Sequence, residues 1–177
     1  MKPAATPSFF EEEQSFRQTW LWFAVIPSSL VVLLIFTAVL YQQLYLGKPV
    51  GNNPASDRGL LVIAAVLIPT LLGLPVLFYK MKLSVRLERD NLHVRFSPFV
   101  NKHIPLHEIL RCEPRKYSAV MEFGGWGIRY GGKKRGWLYN VTGNRGVQLE
   151  LANGKLLLIG SQRADELAAA IKQCRAV

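Results

Sequence analysis

The residues whose chemistry could support a metal site are three histidines, His93, His103 and His107. His103 and His107 stand four residues apart, a spacing that brings two ligands together only on a helix. Pro105 lies between them, and no carboxylate or cysteine completes the set. We therefore predict that these histidines face solvent beside a turn and that the protein holds no metal.

The candidate nucleophiles and phosphate-binding glycines also lack partners. Ser118 and Ser161 have no histidine and acid at a spacing that would support nucleophilic catalysis. Gly125 and Gly127 resemble a fragment of a dinucleotide-binding loop, but the third glycine is misplaced at Gly131 and no helix is predicted to follow. We predict that the chain is not an enzyme, has no cofactor and takes no small-molecule substrate.

Residues 124–146 have an unusual composition. They hold eight of the 14 glycines, interspersed with aromatic and basic residues. One interpretation is a twisted hairpin, with glycines in bulges and turns and tryptophans in the core. The other is a flexible loop that meets anionic headgroups or a partner protein, since three consecutive cations cannot all be buried unpaired. The candidate contact residues are Trp126, Arg129, Tyr130, Lys133, Lys134, Arg135, Trp137 and Arg145.

Two uncharged blocks determine where such a surface could act. Residues 18–47 and 59–79 contain no Asp, Glu, Lys or Arg, and a membrane span needs roughly 20 apolar residues. We predict transmembrane helices over about 20–41 and 59–79. Half of the 177 residues are hydrophobic and the mean hydropathy is +0.15, which excludes a disordered or fibrous chain. Without an ionisable residue inside either span, a channel or transporter made of this chain alone is not expected.

The charges divide the chain and orient it. Residues 79–177 hold 18 of the 22 Lys and Arg and 8 of the 12 Asp and Glu, so they carry the whole net charge of +10. By the positive-inside rule, both the N-terminus and the C-terminal domain should be cytoplasmic. The cations that follow the second span outnumber Lys48 and Arg58 in the loop, and they are Lys80, Lys82, Arg86 and Arg89. Cys112 and Cys174 then face the cytoplasm, where a structural disulfide is not expected.

The domain boundary is expected at residue 80. Residues 1–19, with Phe9, Phe10 and Phe16 near three glutamates, are typical of a membrane interface, so we assign residues 1–79 to an interfacial tail and two spans. From residue 81 the apolar period becomes two, which predicts a hairpin over about 83–96, further strands near 110–117, 119–123 and 147–151, and a return strand at 155–159. A C-terminal helix follows, with an apolar stripe formed by Ala164, Leu167, Ala168, Ile171 and Cys174. The expected fold is α+β, a transmembrane helical hairpin followed by a small antiparallel β-barrel or sandwich of pleckstrin-homology-like type, capped by this helix.

Several strings of the sequence resemble a known family. The segments are residues 104–109 (IPLHEI), 124–129 (GGWGIR), 143–150 (GNRGVQLE) and 159–163 (IGSQR), together with the two apolar blocks. With them, nearly the whole chain is similar to bacterial two-span membrane proteins that carry a C-terminal pleckstrin-homology-like domain. The resemblance implies this fold and a place in the bacterial inner membrane, and it brings no activity with it. In architecture alone, chloroplast photosystem I assembly factors are also similar.

The functional prediction follows from these features. We expect a membrane-anchored, non-enzymatic interaction module, whose cytoplasmic domain binds a membrane-protein partner or an anionic lipid surface, as a scaffold or assembly factor would. Besides the bilayer, the expected partner is another membrane protein or a second copy of the chain. Nucleic acid is a less fitting partner for a basic domain tethered to a membrane. The alternative is an accessory subunit of a membrane enzyme or transporter complex.

Overall fold

The structure is a computed structural model that describes residues 8–175, apart from the side chain of residue 20. It is an α+β chain with two long apolar helices and two β-sheets, as predicted at that level. The chain forms two compact units. The helical unit comprises residues 17–80, and the β unit comprises residues 8–16 and 81–175.

The helical unit consists of two long helices. Helix α1 spans Thr19–Leu40 and continues into a π-helical turn at Tyr41–Tyr45, and helix α2 spans Asp57–Lys80. Both are long and apolar enough to cross a membrane, and almost none of their apolar side chains is buried. The predicted spans therefore exist as helices of the required length and composition.

Contacts at both ends show that α1 and α2 are antiparallel neighbours. Near the start of α1, the ring of Trp22 lies 6.5 Å from that of Tyr79 at the end of α2. At the opposite end, the Gln43 amide donates to the Ala55 carbonyl at 2.7 Å and to the Asp57 carboxylate at 2.9 Å. The helical unit is thus a hairpin with a polar tie beside its connecting loop.

The β unit begins with a four-stranded antiparallel sheet in the order β1-β2-β3-β4. The strands are β1 (Phe10–Ser15), β2 (Lys82–Leu87), β3 (Asn91–Ser97) and β4 (Val100–Pro105). The period of two in β2 and β3 confirms the predicted hairpin. Its apolar face is completely buried and consists of Leu83, Val85, Leu87, Leu92, Val94 and Phe96.

Strand β1 was not predicted. The expected boundary placed the whole N-terminal tail with the two spans, whereas Phe10–Ser15 belongs to the β unit. It pairs with β2 along its full length, with Phe10 opposite Leu87 and Ser15 opposite Lys82. The Gln14 amide donates to the Gly160 carbonyl at 3.0 Å. As an edge strand with three successive glutamates, β1 lacks the apolar alternation that would reveal it in the sequence.

The second sheet has five strands in the order β5-β8-β9-β7-β6. Its strands are β5 (Ile109–Lys116), β6 (Gly127–Tyr130), β7 (Trp137–Asn140), β8 (Arg145–Leu151) and β9 (Leu156–Gly160). All neighbours are antiparallel except β7 and β9, which are parallel. Neither sheet closes on itself, so the predicted barrel does not form. A short 3-10 helix at Leu106–Glu108 precedes β5.

The strand predicted over residues 119–123 is wrong, because Ala119–Phe123 forms a short helix, α3. The Ser118 hydroxyl accepts a hydrogen bond from the Met121 N–H, and the Glu122 carboxylate accepts one from the Ser118 N–H. Gly124 ends the helix in the left-handed conformation. These reciprocal caps stabilise a helical turn that a search for apolar alternation does not detect.

The C-terminal helix α4 spans Ala164–Arg175 and confirms the predicted stripe in most positions. Ala164, Leu167, Ala168 and Ile171 are buried, whereas Cys174 is only half-buried. Helix α4 packs on β5 and β8. It covers part of the five-stranded sheet and completes the core of the β unit.

Candidate interaction surface

The glycine-rich segment folds as a hairpin at the edge of the five-stranded sheet. Strands β6 and β7 are joined by residues 131–136, and the Gly131 N–H donates to the Gly136 carbonyl at 2.8 Å. Gly136 has a φ of +73°, and a Cβ added there would lie 1.9 Å from the Leu156 carbonyl oxygen. Glycine is therefore required at this position by the fold, as the hairpin interpretation predicts.

The end of this hairpin carries the three consecutive cations, and we call residues 131–136 the tip. Lys133, Lys134 and Arg135 are all exposed. Arg135 donates to the carbonyl of Glu122 at 3.0 Å, which ties the tip to helix α3. Within residues 8–175, neither Lys133 nor Lys134 forms an ion pair. The tip thus presents two uncompensated positive charges to its surroundings.

Aromatic rings border the tip on one face of the sheet. Tyr130 and Trp137 are paired across the hairpin, with ring centroids 5.2 Å apart. Trp137 stacks on Tyr139 at 6.4 Å, and the Lys102 ammonium lies 5.3 Å from the Tyr139 ring centroid. Tyr139 is buried, but Tyr130 and Trp137 are not. The row therefore runs from the core to solvent and ends in two accessible rings beside the lysines.

Trp126 and Arg129 lie apart from this aromatic row. Arg129 is paired with Leu138, and side chains alternate along a strand, so it is on the opposite face from Tyr130. Its guanidinium donates to the Trp126 carbonyl at 3.0 Å. Trp126 is 41% exposed and borders a cavity of about 230 Å³ beside the start of α3. The two tryptophans of the segment are thus half-exposed rather than packed inside a barrel.

Arg145 is the candidate that the structure separates from the others. At the start of β8, its guanidinium forms an ion pair with Asp165 in the first turn of α4, at 2.8 Å. A carboxylate already compensates this charge. Arg145 therefore supports the packing of α4 and adds little free positive charge to the surface.

Helix α3 adds two surface residues that the sequence analysis missed. Met121 is 83% exposed and Val120 is 51% exposed. They are close to the tip, since Arg135 bonds the carbonyl of the next residue, Glu122. The available signal was Ser118, a residue type favoured at the start of a helix, followed by Glu122 in the first turn. The accessible surface is therefore apolar as well as basic.

Glu122 moderates the charge of this region. Burial opposes its ionisation, but the Ser118 N–H, the Arg115 guanidinium and the charge of Arg135 outweigh it and hold the pKa of Glu122 below its ordinary value. The Arg115 to Glu122 ion pair measures 2.9 Å. At neutral pH the carboxylate is therefore ionised and is committed to the two arginines, which leaves Lys133 and Lys134 uncompensated.

A buried polar group holds the base of the hairpin. Asn140 is fully buried, accepts from the Gly127 N–H at 3.0 Å and donates to the Tyr117 hydroxyl at 3.0 Å. Desolvation raises the pKa of Tyr117, opposed by the Asn140 hydrogen bond and the charge of Arg115. The Tyr117 hydroxyl therefore stays neutral at physiological pH. The candidate surface is thus presented by a buried, hydrogen-bonded base rather than by a free loop.

The histidines and cysteines occupy other parts of the β unit. His103 packs against His93 with ring centroids 4.4 Å apart, and His93 faces the Glu88 carboxylate at 3.2 Å. Across residues 8–175, no group of three His, Cys, Asp or Glu is arranged to hold a metal ion. Both cysteines are free, and burial raises the pKa of the Cys112 thiol to about 11. At neutral pH this thiol is protonated and inert.

Comparison of the chain with protein-family models and with curated proteins gives no match.

Proposed function

We propose that the chain is a membrane-anchored, non-enzymatic interaction module whose basic and aromatic hairpin tip binds a negatively charged surface. That surface belongs to a membrane-protein partner or to the anionic leaflet. The observation that carries the proposal is the tip itself, where Lys133 and Lys134 are exposed without an acidic partner in the described chain, beside the accessible rings of Tyr130 and Trp137.

Membrane anchoring is supported by the exposure of the helical unit. Side chains such as Leu34 and Ile35 are about as accessible as surface residues although they are fully apolar. Apolar area exposed to water costs roughly 25 cal/mol per Å², so two such helices require an apolar surrounding. A bilayer provides it along the full length of both helices.

The proposed orientation places the β unit in the bacterial cytoplasm, and the excess of cations after α2 supports it. Cys112 cannot report this orientation, because its buried thiol would be unlabelled on either side. We instead use Ser56→Cys in the loop and Ala152→Cys in the β unit, each exposed, on a Cys174→Ser background. An impermeant thiol reagent should label residue 56 and spare residue 152 in intact cells. The reverse pattern would contradict the orientation.

We also propose a pleckstrin-homology-like type for the β unit. Two antiparallel or mixed sheets followed by one C-terminal helix support it. The strands of residues 8–175 include three that the apolar alternation of the sequence did not predict, since β1 adds to one sheet and the β6–β7 hairpin to the other. On this fold the module works by surface contact, and no step of chemistry is assigned to it.

Charge and ring chemistry explain how the tip would bind. Each lysine near an anionic leaflet contributes about 1 kcal/mol of attraction. Tyr and Trp are also enriched among the residues that dominate the binding energy of protein interfaces, because they bury large areas with few rotatable bonds. Both kinds of negatively charged surface therefore fit the tip, and an experiment must identify which one occupies it.

Photo-crosslinking in native membranes tests the proposal on the full chain. Benzoylphenylalanine in place of Tyr130 keeps an exposed aromatic side chain beside the tip. A protein adduct would identify a partner protein, and a lipid adduct would identify the leaflet. The attraction of about 1 kcal/mol from one lysine corresponds to about a fivefold change in binding. The double variant Lys133→Gln and Lys134→Gln should therefore reduce either adduct at least fivefold.

The matched control removes two other exposed lysines, Lys116→Gln and Lys172→Gln, which lie outside the tip. It should leave the adduct unchanged, because it alters the net charge by the same amount. The absence of any adduct, or an equal loss in both double variants, would contradict the proposed role of the tip.

A further inference from the structure

Both connections to the helical unit leave the four-stranded sheet at the same end. Ser15, the last residue of β1, is paired with Lys82, the first residue of β2. Lys82 is paired on its other side with Ser97, the last residue of β3. Since paired residues on neighbouring strands lie about 5 Å apart, Ser97 is within about 10 Å of Ser15.

The chain at this end has little slack. Met81 alone separates α2 from β2, and residues 16–18 separate β1 from α1. An extended residue spans at most about 3.6 Å, so Lys82 lies within roughly 7 Å of the end of α2. Phe16 is buried, with its ring 6.2 Å from that of Phe96. Both attachments are therefore short, and Phe16, the first residue of the link to α1, is held in the core of the β unit.

The turn that follows Ser97 carries an exposed aromatic residue. Residues 98–99 connect β3 to β4, and the Phe99 N–H donates to the Phe96 carbonyl at 2.8 Å. Phe99 is 57% exposed. The ring is thus on a hydrogen-bonded turn, at the sheet end from which both helices leave.

The opposite end of the same sheet has different chemistry. Residues 88–90 connect β2 to β3 and are all charged: Glu88, Arg89 and Asp90. Strand β3 separates the two turns by seven residues, which corresponds to roughly 20 Å. The sheet therefore has an apolar turn beside the helix attachments and a charged turn far from them.

We propose that the turn at residues 98–99 is a third contact of the protein with the bilayer, in which Phe99 lies at the headgroup level of the leaflet where α1 begins and α2 ends. The inference rests on the proposed membrane anchoring and is independent of the basic tip. Phenyl rings at this depth are favourable because the interface accepts apolar area near the helix ends. Two chain attachments and Phe99 would then hold this end of the four-stranded sheet at the leaflet.

Depth measurement in the full chain tests this inference. Phe99→Cys and Asp90→Cys, on a Cys174→Ser background, carry the same environment-sensitive dye in phosphatidylcholine vesicles. The dye at residue 99 should be quenched several-fold more strongly by nitroxide-labelled lipid than the dye at residue 90. Iodide in the water should show the reverse preference, because about 20 Å separates the two turns along the strand.

A second variant separates the position of the turn from the effect of replacing the phenyl ring. Asn101→Cys is an exposed site in β4 that keeps Phe99. Its dye should also be quenched by the labelled lipid, and adding Phe99→Ser should weaken that quenching. The result should not change in high salt, since the contact is apolar.

Three outcomes are distinguishable. Lipid quenching at residues 99 and 101 but not at residue 90 supports the inference. Equal quenching at all three sites, in a chain that resists alkaline extraction from the vesicles, overturns the third contact and leaves the membrane anchor intact. Extraction of the chain by alkali overturns the anchor and the third contact together.

Discussion

The two units of the chain expose opposite kinds of side chain. In the helical unit, Ile35 is 61% exposed, whereas in the β unit Ile171 and Leu83 are completely buried. The same apolar residue types thus point outward in one unit and inward in the other. The difference is consistent with the proposed membrane anchoring, under which hydrocarbon surrounds α1 and α2 and water surrounds the two sheets.

The largest effect is expected when the same change, Ile to Ala, is made in each of the two units. Ile171→Ala removes buried methyl groups and should destabilise the β unit by about 2–5 kcal/mol. Ile35→Ala should change the stability of the β unit by less than about 0.5 kcal/mol, because its side chain is outside that core. Reaction of Cys112 with a thiol reagent during heating reports unfolding of the β unit in the full chain, on a Cys174→Ser background.

Lys172→Ala, on the exposed side of the same helix, is the control for Ile171→Ala and should have little effect. An equal loss of stability in the Ile171 and Lys172 variants would show that the stripe on α4 is not a core element. The claim that the apolar residues of α4 point into the core of the β unit would then be wrong.

Replacing an exposed leucine by arginine in each unit compares the surroundings of α1 with those of the β unit. Leu34→Arg puts a cation near the middle of the uncharged segment, where insertion costs about 2.5–3.5 kcal/mol. Leu110→Arg changes an equally exposed leucine of β5 and should be tolerated in water. Alkaline extraction of membranes should release more of the Leu34 variant than of the Leu110 variant. Equal retention would contradict a hydrocarbon surrounding for α1.

The smallest effect concerns the interior of the β unit. Burial raises the pKa of Cys112 from 9.0 to about 11, so between these values the unfolded thiol ionises while the folded thiol stays neutral. Stability therefore falls as pH rises from about 9 to about 11. Cys112→Ala should flatten this decline relative to the parent chain in denaturant titrations at successive pH values. An identical slope in both proteins would show that the thiol is not desolvated.

Local patterns predicted much of this architecture. The two uncharged blocks, the alternation in β2 and β3, and the stripe of α4 all became the expected elements. The strands predicted near 147–151 and at 155–159 also form and pair with each other as β8 and β9. These features depend on residues within a few positions of one another, so periodicity alone is sufficient to identify them.

The candidate surface was predicted in composition but not in arrangement. The cations at 133–135 lie at an exposed tip, yet Arg145 pairs with Asp165, and Arg129 is on the other face from Tyr130. Met121 was missed because α3 was predicted as a strand. A short helix depends on its caps, and its five residues are too few for a helical period to be recognised.

The sequence by itself determined the lengths of the apolar helices, the excess of positive charge after them and the alternation of the main hairpin. Only the tertiary structure decided that β1 joins the sheet after the helices and that Phe99 is at the end where both helices leave. The reason is distance along the chain: the Lys82 to Glu13 ion pair joins residues 69 apart, and the Gln14 to Gly160 hydrogen bond joins residues 146 apart. Such contacts leave no periodic trace in the sequence, because each depends on where the rest of the fold brings its partner.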